Sequence, residues 1–215
     1  MKLLLTSTGL SNPKITEAFF GLAAKEPKDI KVAFVPTASR IEEELKYVEE
    51  SRRELINLSI LADNIKNINL ERNVDFEEIK DCSVMYVCGG NTFYLLNKIR
   101  ETGFDEMMNQ FIADNKVYVG VSAGSIIATP NINVAGVEPA DPNDVGLIDL
   151  KGLNWVNFEV SPHVPEIVSY DNAEKYSQTT DNKIYAINNS SAVLFRDNNV
   201  SVVGSGTSRI YNSKT

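Results

Sequence analysis

The chain has 215 residues, of which 43% are hydrophobic and 23% charged, and it carries a formal net charge of -8. That length and composition suit one α/β domain over residues 1–215 with a sizeable core, and exclude a fibrous or low-complexity chain. The Lys and Arg residues are scattered, which excludes a nucleic-acid footprint, and no apolar window is long enough to span a bilayer.

Two cysteines, Cys82 and Cys88, and a single histidine do not make a zinc site. A strand between the cysteines keeps them from forming a disulfide, so both are expected as buried free thiols in a reducing compartment. The opening "MKLLLTSTG" has one lysine and a three-leucine run, too short for the core of a secretory signal. The expectation is a cytoplasmic protein, monomer or homodimer, with no cofactor, no metal and no membrane partner.

In chain order, "KLLLTST" reads as a strand and "NPKITEAFFGLAA" as a helix. "KVAFVPTAS" is a second strand. "IEEELKYVEESRRELINL" is a long amphipathic helix with Ile41, Leu45, Val48, Leu55 and Ile56 as its apolar positions. "NIKNINLE" is a weaker strand and "DFEEIKDC" a short helix. "SVMYVCGG" is a strand ending on two glycines, followed by helices in "TFYLLNKIRETG" and "FDEMMNQFIADN". "KVYVGVS" is the next strand. Runs that are apolar on both faces and alternate with helices predict a mostly parallel sheet covered on both sides, a three-layer α/β fold.

After Pro130 the pattern changes. Residues 130–154 are rich in Gly, Pro, Asn and Asp, and read as a long excursion with short strands that walls the site. "NFEVSPH" is a strand leading to His163, and "DNAEKYSQTT" is helical. "KIYAINNSSAVLFRDNNVSVVGSG" gives three short strands, an antiparallel end to the sheet.

Ligands of such sheets bind beyond the carboxyl ends of the strands. There the chain places Ser7, Ser39, Cys88 to Thr92, Ser122, His163, and Asn188 to Ser190. "GVSAG", Gly120 to Gly124, fits G-x-S-x-G between a strand and a helix. A sharp turn there lifts the serine oxygen above the sheet and aims the Ala123 N–H at a developing oxyanion. The alternative is an N-cap serine with glycines for close packing. "CGGNT" can supply the second oxyanion donor, the Gly90 N–H, or serve as a plain strand-to-helix turn capped by Asn91 or Thr92. Cys88 lies in an apolar run with nothing to activate its thiol. His163, the only histidine, must be the base of any Ser–His mechanism. A third residue should orient the imidazole, and Glu166, Asp171, Glu138, Asn188 and Asn189 are all open.

The segments "VCGGNTFYLL", "VGVSAGS", "SPHV" and "AINNSSAV" resemble the peptidase E family of aspartyl dipeptidases and their cyanophycinase-like relatives. The resemblance spans nearly the whole chain. It implies a flavodoxin-like fold similar to class I glutamine amidotransferases, with serine at the elbow. It further implies Ser122 as nucleophile, His163 as base, and Gly90 with Ala123 as oxyanion donors. The family's third residue, a Glu in a "PEG"-like segment, falls on Asn189, an uncharged acceptor for the imidazole N–H. The family's substrate-binding arginine has no counterpart between His163 and Asn189, where only Lys175 and Lys183 are cationic. The family's aspartate after the elbow corresponds to Val137, with Glu138 beside it. The expected activity is hydrolysis of short peptides, in the manner of a dipeptidase or aminopeptidase. The alternatives are another serine amidase or esterase, and a weakly catalytic binding protein.

Overall fold

The computed structural model describes residues 1–212; the last positions of the expected domain, 213–215, lie outside the described residues. Strands β1 (Lys2–Thr6), β2 (Val32–Val35), β3 (Ile65–Asn67), β4 (Val84–Val87) and β5 (Val117–Val121) pair in parallel. Side chains alternate across each strand, so an apolar run must be covered twice. Leu3, Leu5, Met85, Val87 and Tyr118 pack on one face, and Leu4, Val84, Tyr86, Val117 and Val119 on the other. Helices α1 (Pro13–Ala23) and α2 (Glu42–Asn57) cover the second face through Phe19, Leu22, Val48 and Leu55. Helices α3 (Thr92–Glu101), α4 (Phe104–Ala113) and α5 (Ala123–Ile127) cover the first through Leu95, Leu96, Met108, Phe111 and Ile127.

Later in the chain come β6 (Phe158–Ser161), α6 (Tyr170–Ser177), β7 (Lys183–Ala186), β8 (Ser191–Arg196), β9 (Asn199–Gly204) and β10 (Arg209–Tyr211). β8 runs antiparallel to β1, and β9 antiparallel to β8. The main sheet therefore has seven strands in the order β3-β2-β4-β5-β1-β8-β9. This is the mostly parallel, helix-covered α/β architecture expected, with its antiparallel strands at the C-terminal end. Among the described residues no helix is long and apolar enough to cross a membrane. Cys82 and Cys88 are free and buried, as expected.

Four local expectations change. β6 and β7 do not join the main sheet; with β10 they form a separate sheet in the order β10-β7-β6. The edge of β1 is already taken by β8, so β6 and β7 pair with each other, and Phe158, Val160 and Tyr185 pack against the main core. Residues 130–154 contain no strand, only the bridge between Asn131 and Lys151 and a 3₁₀ turn at Asn133–Gly136. The segment satisfies its backbone on the end of α5 instead: Leu153 N–H donates to Ile127 O (2.7 Å) and Trp155 N–H to Ala128 O (3.0 Å). "DFEEIKDC" forms only a 3₁₀ turn at Phe76–Glu78, capped by Asp75. Of the apolar positions expected on the long helix, Val48 and Leu55 of α2 are buried, but Leu45 and Ile56 are exposed, as is Ile41, which caps the helix from outside it.

Glu159 of β6 ties the segment after α5 to α6 and to the turn before β7. It is fully buried and accepts from Asn131 Nδ2 (3.0 Å), Thr180 Oγ1 (2.6 Å), Asn182 Nδ2 (2.9 Å) and Tyr176 Oη. Glu159→Ala strands these donors and is expected to lower the unfolding free energy by about 2–4 kcal/mol. Urea denaturation measures it, and an unchanged midpoint would show that the network does not stabilise the fold.

Candidate active site

Strand order brings the site together before any side chain is considered. β5 lies between β4 and β1, so Ser122 at its carboxyl end sits between the turns that follow those two strands. β8 is antiparallel to β1, with Ala192 opposite Thr6, so the residues just before β8 arrive at the same edge.

Ser122 adopts φ 48 and ψ -108, a region that costs a non-glycine residue about 1–3 kcal/mol and persists only when its surroundings impose it. Here they do. Ser122 N–H donates to Thr6 O at 3.0 Å, and the buried Ser125 Oγ lies 2.8 Å from both Thr6 O and Gly120 O. The glycines of the motif have steric reasons: a β-carbon on Gly120 would lie 2.5 Å from Gly124 O, and one on Gly124 would lie 2.4 Å from Val87 O.

His163 follows β6 in a left-handed conformation, φ 60. Its Nε2 lies 2.9 Å from Ser122 Oγ, and its Nδ1 lies 2.7 Å from Asn189 Oδ1. A side-chain carbonyl only accepts, so this contact puts the ring proton on Nδ1 and leaves the Nε2 lone pair facing the serine. Burial holds the imidazole below the ordinary histidine range. The Asn189 bond and the charges of Glu166 and Asp141 oppose that effect without cancelling it.

Of the other candidates for orienting the ring, none bonds it. Glu166 accepts the Asn189 N–H at 3.2 Å. Asn188 turns away, its Oδ1 taking the Ser190 N–H and its amide meeting Thr207 O. Glu138 offers only its backbone carbonyl, to Asn172, and Asp171 lies in the first turn of α6. Val137 packs against the core; the acid near the site is Asp141, which accepts the Thr92 N–H at 2.9 Å and whose carboxyl burial pushes up.

Ser7 is a part of this array that the sequence places at a strand end without revealing its bonds. It is fully buried. Its Oγ accepts the His163 backbone N–H at 2.8 Å, donates to Asn189 Oδ1 at 3.1 Å, and lies 3.1 Å from His163 Nδ1. Thr8 Oγ1 donates to Asn189 O at 2.6 Å. The turn after β1 thus holds both the histidine and its asparagine.

Across from Ser7, a β-carbon on Gly89 would come 3.1 Å from Ser122 Cβ, so the β4 turn abuts the serine. Asn91 caps α3, accepting the Tyr94 N–H at 2.8 Å, and its amide donates to Pro142 O at 2.8 Å. The N–H groups of Gly90 (φ 133) and Ala123 have no acceptor among the described residues. Cys88 also borders the site, but burial pushes its thiol far up and leaves it protonated.

Ser7, Gly89, Gly90, Ser122, His163 and Asn189 line one cleft of about 880 Å³, within the usual range for small-molecule sites. Its opposite wall is α2, with Ile167. Residues 130–154 do not wall it as expected. They are spent on α5 and on the start of α3, where Asp141 and Pro142 hold Thr92 and Asn91.

The sequence profile of peptidase family S51 matches residues 3–203 of the chain. An uncharacterized peptidase of Listeria monocytogenes serovar 1/2a is 32% identical over 171 residues, covering 79% of this chain and 83% of its own. Peptidase E of Nostoc sp. is 29% identical over 173 residues, covering 78% of this chain and 67% of its own. Among solved structures, a candidate peptidase E protein from Listeria monocytogenes EGD-e matches with a TM-score of 0.80 at 28% identity, over 95% of this chain and 98% of that one. A peptidase from an acI-B1 Actinobacterium shares the fold, with a TM-score of 0.69 at 20% identity over 98% of this chain and 90% of its own.

Proposed function

The chain belongs to peptidase family S51, a family of serine peptidases, and from that membership we propose that it cleaves short peptides through an acyl-enzyme on Ser122. The observation that carries this reading is the relay of 2.9 Å and 2.7 Å from Ser122 Oγ through the His163 ring to Asn189 Oδ1. Ser122 Oγ attacks the scissile carbonyl while His163 Nε2 takes its proton. The N–H groups of Gly90 and Ala123 receive the negative oxygen of the tetrahedral intermediate. The protonated His163 then gives its proton to the leaving amine, and water repeats the sequence to release the acid. Asn189 keeps the ring proton on Nδ1 throughout. The two buried thiols fit a cytoplasmic setting.

The test is a panel of dipeptides, aminoacyl anilides and esters, together with a fluorophosphonate probe. Peptide hydrolysis with labelling of Ser122 is expected. Cleavage of esters alone would favour an esterase. Failure to label at neutral pH would favour a binding protein with an idle site, a reading that draws on the uncharged Asn189.

Ser7 enters this mechanism by holding two of its members. Ser7→Ala is expected to reduce kcat by about tenfold or more with little change in KM, because misplacement of a base slows chemistry more than binding. Steady-state kinetics measure it, and an unchanged kcat would remove Ser7 from the positioning of His163.

A further inference from the structure

We propose that β9 is the interface of a two-fold homodimer, its free edge pairing antiparallel with β9 of a second copy so that the two main sheets run on into one. This is independent of the peptidase reading, because no residue of β9 lines the cleft.

The register of the last hairpin says which backbone groups are free. β8 and β9 are joined by the two-residue turn Asp197-Asn198, both residues with positive φ, 51 and 63. The residues flanking such a turn, Arg196 and Asn199, exchange hydrogen bonds, and the exchange recurs at every second pair. Ser205 N–H, donating to Ser190 O at 2.9 Å, keeps that count at the far end. Asn199, Ser201 and Val203 therefore turn their backbone groups to β8, and Val200, Val202 and Gly204 turn theirs outward. β9 is the last strand of the sheet, and no backbone group among the described residues bonds those outward groups.

Edges that face water are guarded by shortness, by charge or by proline. The opposite edge of the same sheet obeys that rule: β3 is three residues long and carries Lys66. So does β10 at one edge of the small sheet, with three residues and Arg209. β9 does not. Its sequence, NVSVVG, runs for six residues with no charge and no proline. Val200, Val202 and Val203 are only half-buried on it.

A second copy is the occupant that this edge fits. A two-fold axis at Val202 sets Val202 against its own counterpart and Val200 against Gly204, so the outward groups of all three residues find partners in one register. The flank of the edge leaves room for the approach. A groove of about 580 Å³ lies between α1 and the hairpin, lined on the helix by Lys14, Glu17, Ala18 and Gly21, and a β-carbon on Gly21 would meet nothing within 4 Å. The groove carries both signs, Lys14 and Arg196 with Glu17, so two copies meet there without a wall of like charge, although each has a net charge of -8.

The rival explanation is a bare edge that the monomer tolerates. Sedimentation equilibrium of the full chain across the micromolar range is expected to show a monomer–dimer equilibrium. Ser201→Lys is expected to weaken it about tenfold or more, because it gives an exposed position of β9 the charge that guards the other edges. Circular dichroism verifies the fold, and if Ser201→Lys does not fold, cross-linking decides. Residues that exchange hydrogen bonds across an antiparallel pair have Cα atoms about 5.5 Å apart, within disulfide reach. Mild oxidation is expected to link Val202→Cys into dimers and to leave Asn199→Cys unlinked, although Asn199 is the more exposed of the two, since this register holds it far from its counterpart. Cys82 and Cys88 are buried, so the wild type serves as the blank. A wild type that stays monomeric, an assembly larger than a dimer, a folded Ser201→Lys protein that dimerises as the wild type does, or Asn199→Cys linking as fast as Val202→Cys would overturn the proposal.

Discussion

Ser122→Ala is expected to lower kcat/KM for every hydrolysed peptide by a factor on the order of 10⁴ or more, with the fold intact. The size of the loss follows from the site having one usable nucleophile. Cys88 borders the same cleft, but its thiol is held protonated by burial and has no base beside it. The retention of fold follows from what Ser122 Oγ bonds, which among the described residues is His163 Nε2. Alanine meets the same backbone cost at φ 48 as serine does, and the bonds that impose the turn come from Ser125, Thr6 and the Ser122 N–H, none of which the substitution removes. The Gly90 and Ala123 N–H groups remain, so binding and a small residual rate are retained. Progress curves give the rate, and circular dichroism with a melting temperature verifies the fold. A loss of less than tenfold in a folded protein would assign the chemistry to another group.

The parts of this site that could be read in the sequence are those set by short-range sterics or by uniqueness. "GVSAG" announces its turn because Gly120 and Gly124 admit no β-carbon. His163 announces itself by being the only histidine. The parallel sheet follows from strands apolar on both faces. Pairings between distant segments leave no such mark. Ser7 meets His163 and Asn189 only because β8 returns antiparallel beside β1, which places Ala192 opposite Thr6. A two-residue alternation shows that β6 and β7 are strands but carries nothing about which sheet they join. The apolar positions of α2 mark it as amphipathic, yet Leu45 and Ile56 are exposed, and the spacing alone does not separate them from the buried Val48 and Leu55. Among five candidates only resemblance to a family singles out Asn189, and its distinction from Asn188 is a matter of which of two adjacent amides points at the ring.

Asn189 is also where the chemistry is most open to manipulation. Asn189→Ala removes the Oδ1 that fixes the Nδ1 proton and leaves Ser7 Oγ, 3.1 Å away, as the ring's neighbour on that side. A hydroxyl both donates and accepts, so it no longer enforces one tautomer, and kcat is expected to fall by about 10²-fold or more. Asn189→Glu keeps an acceptor at the same place and adds a negative charge. The consequence is a displaced pH profile, and its sign follows from His163. The base works when neutral. In the wild type, burial favours the neutral imidazole, so kcat/KM rises with pH through a value below the ordinary histidine range and is level by neutral pH. An anion against Nδ1–H stabilises the imidazolium, so in Asn189→Glu the acid limb moves to higher pH. At the plateau the same anion stabilises the imidazolium that forms as Ser122 gives up its proton, so the rate there is expected to exceed that of Asn189→Ala. Profiles of kcat/KM from about pH 5 to pH 9 for the three proteins decide the matter. If the acid limbs of Asn189→Glu and the wild type coincide, the side chain at 189 does not face the charged imidazole, and the relay behind Ser122 ends at Ser7.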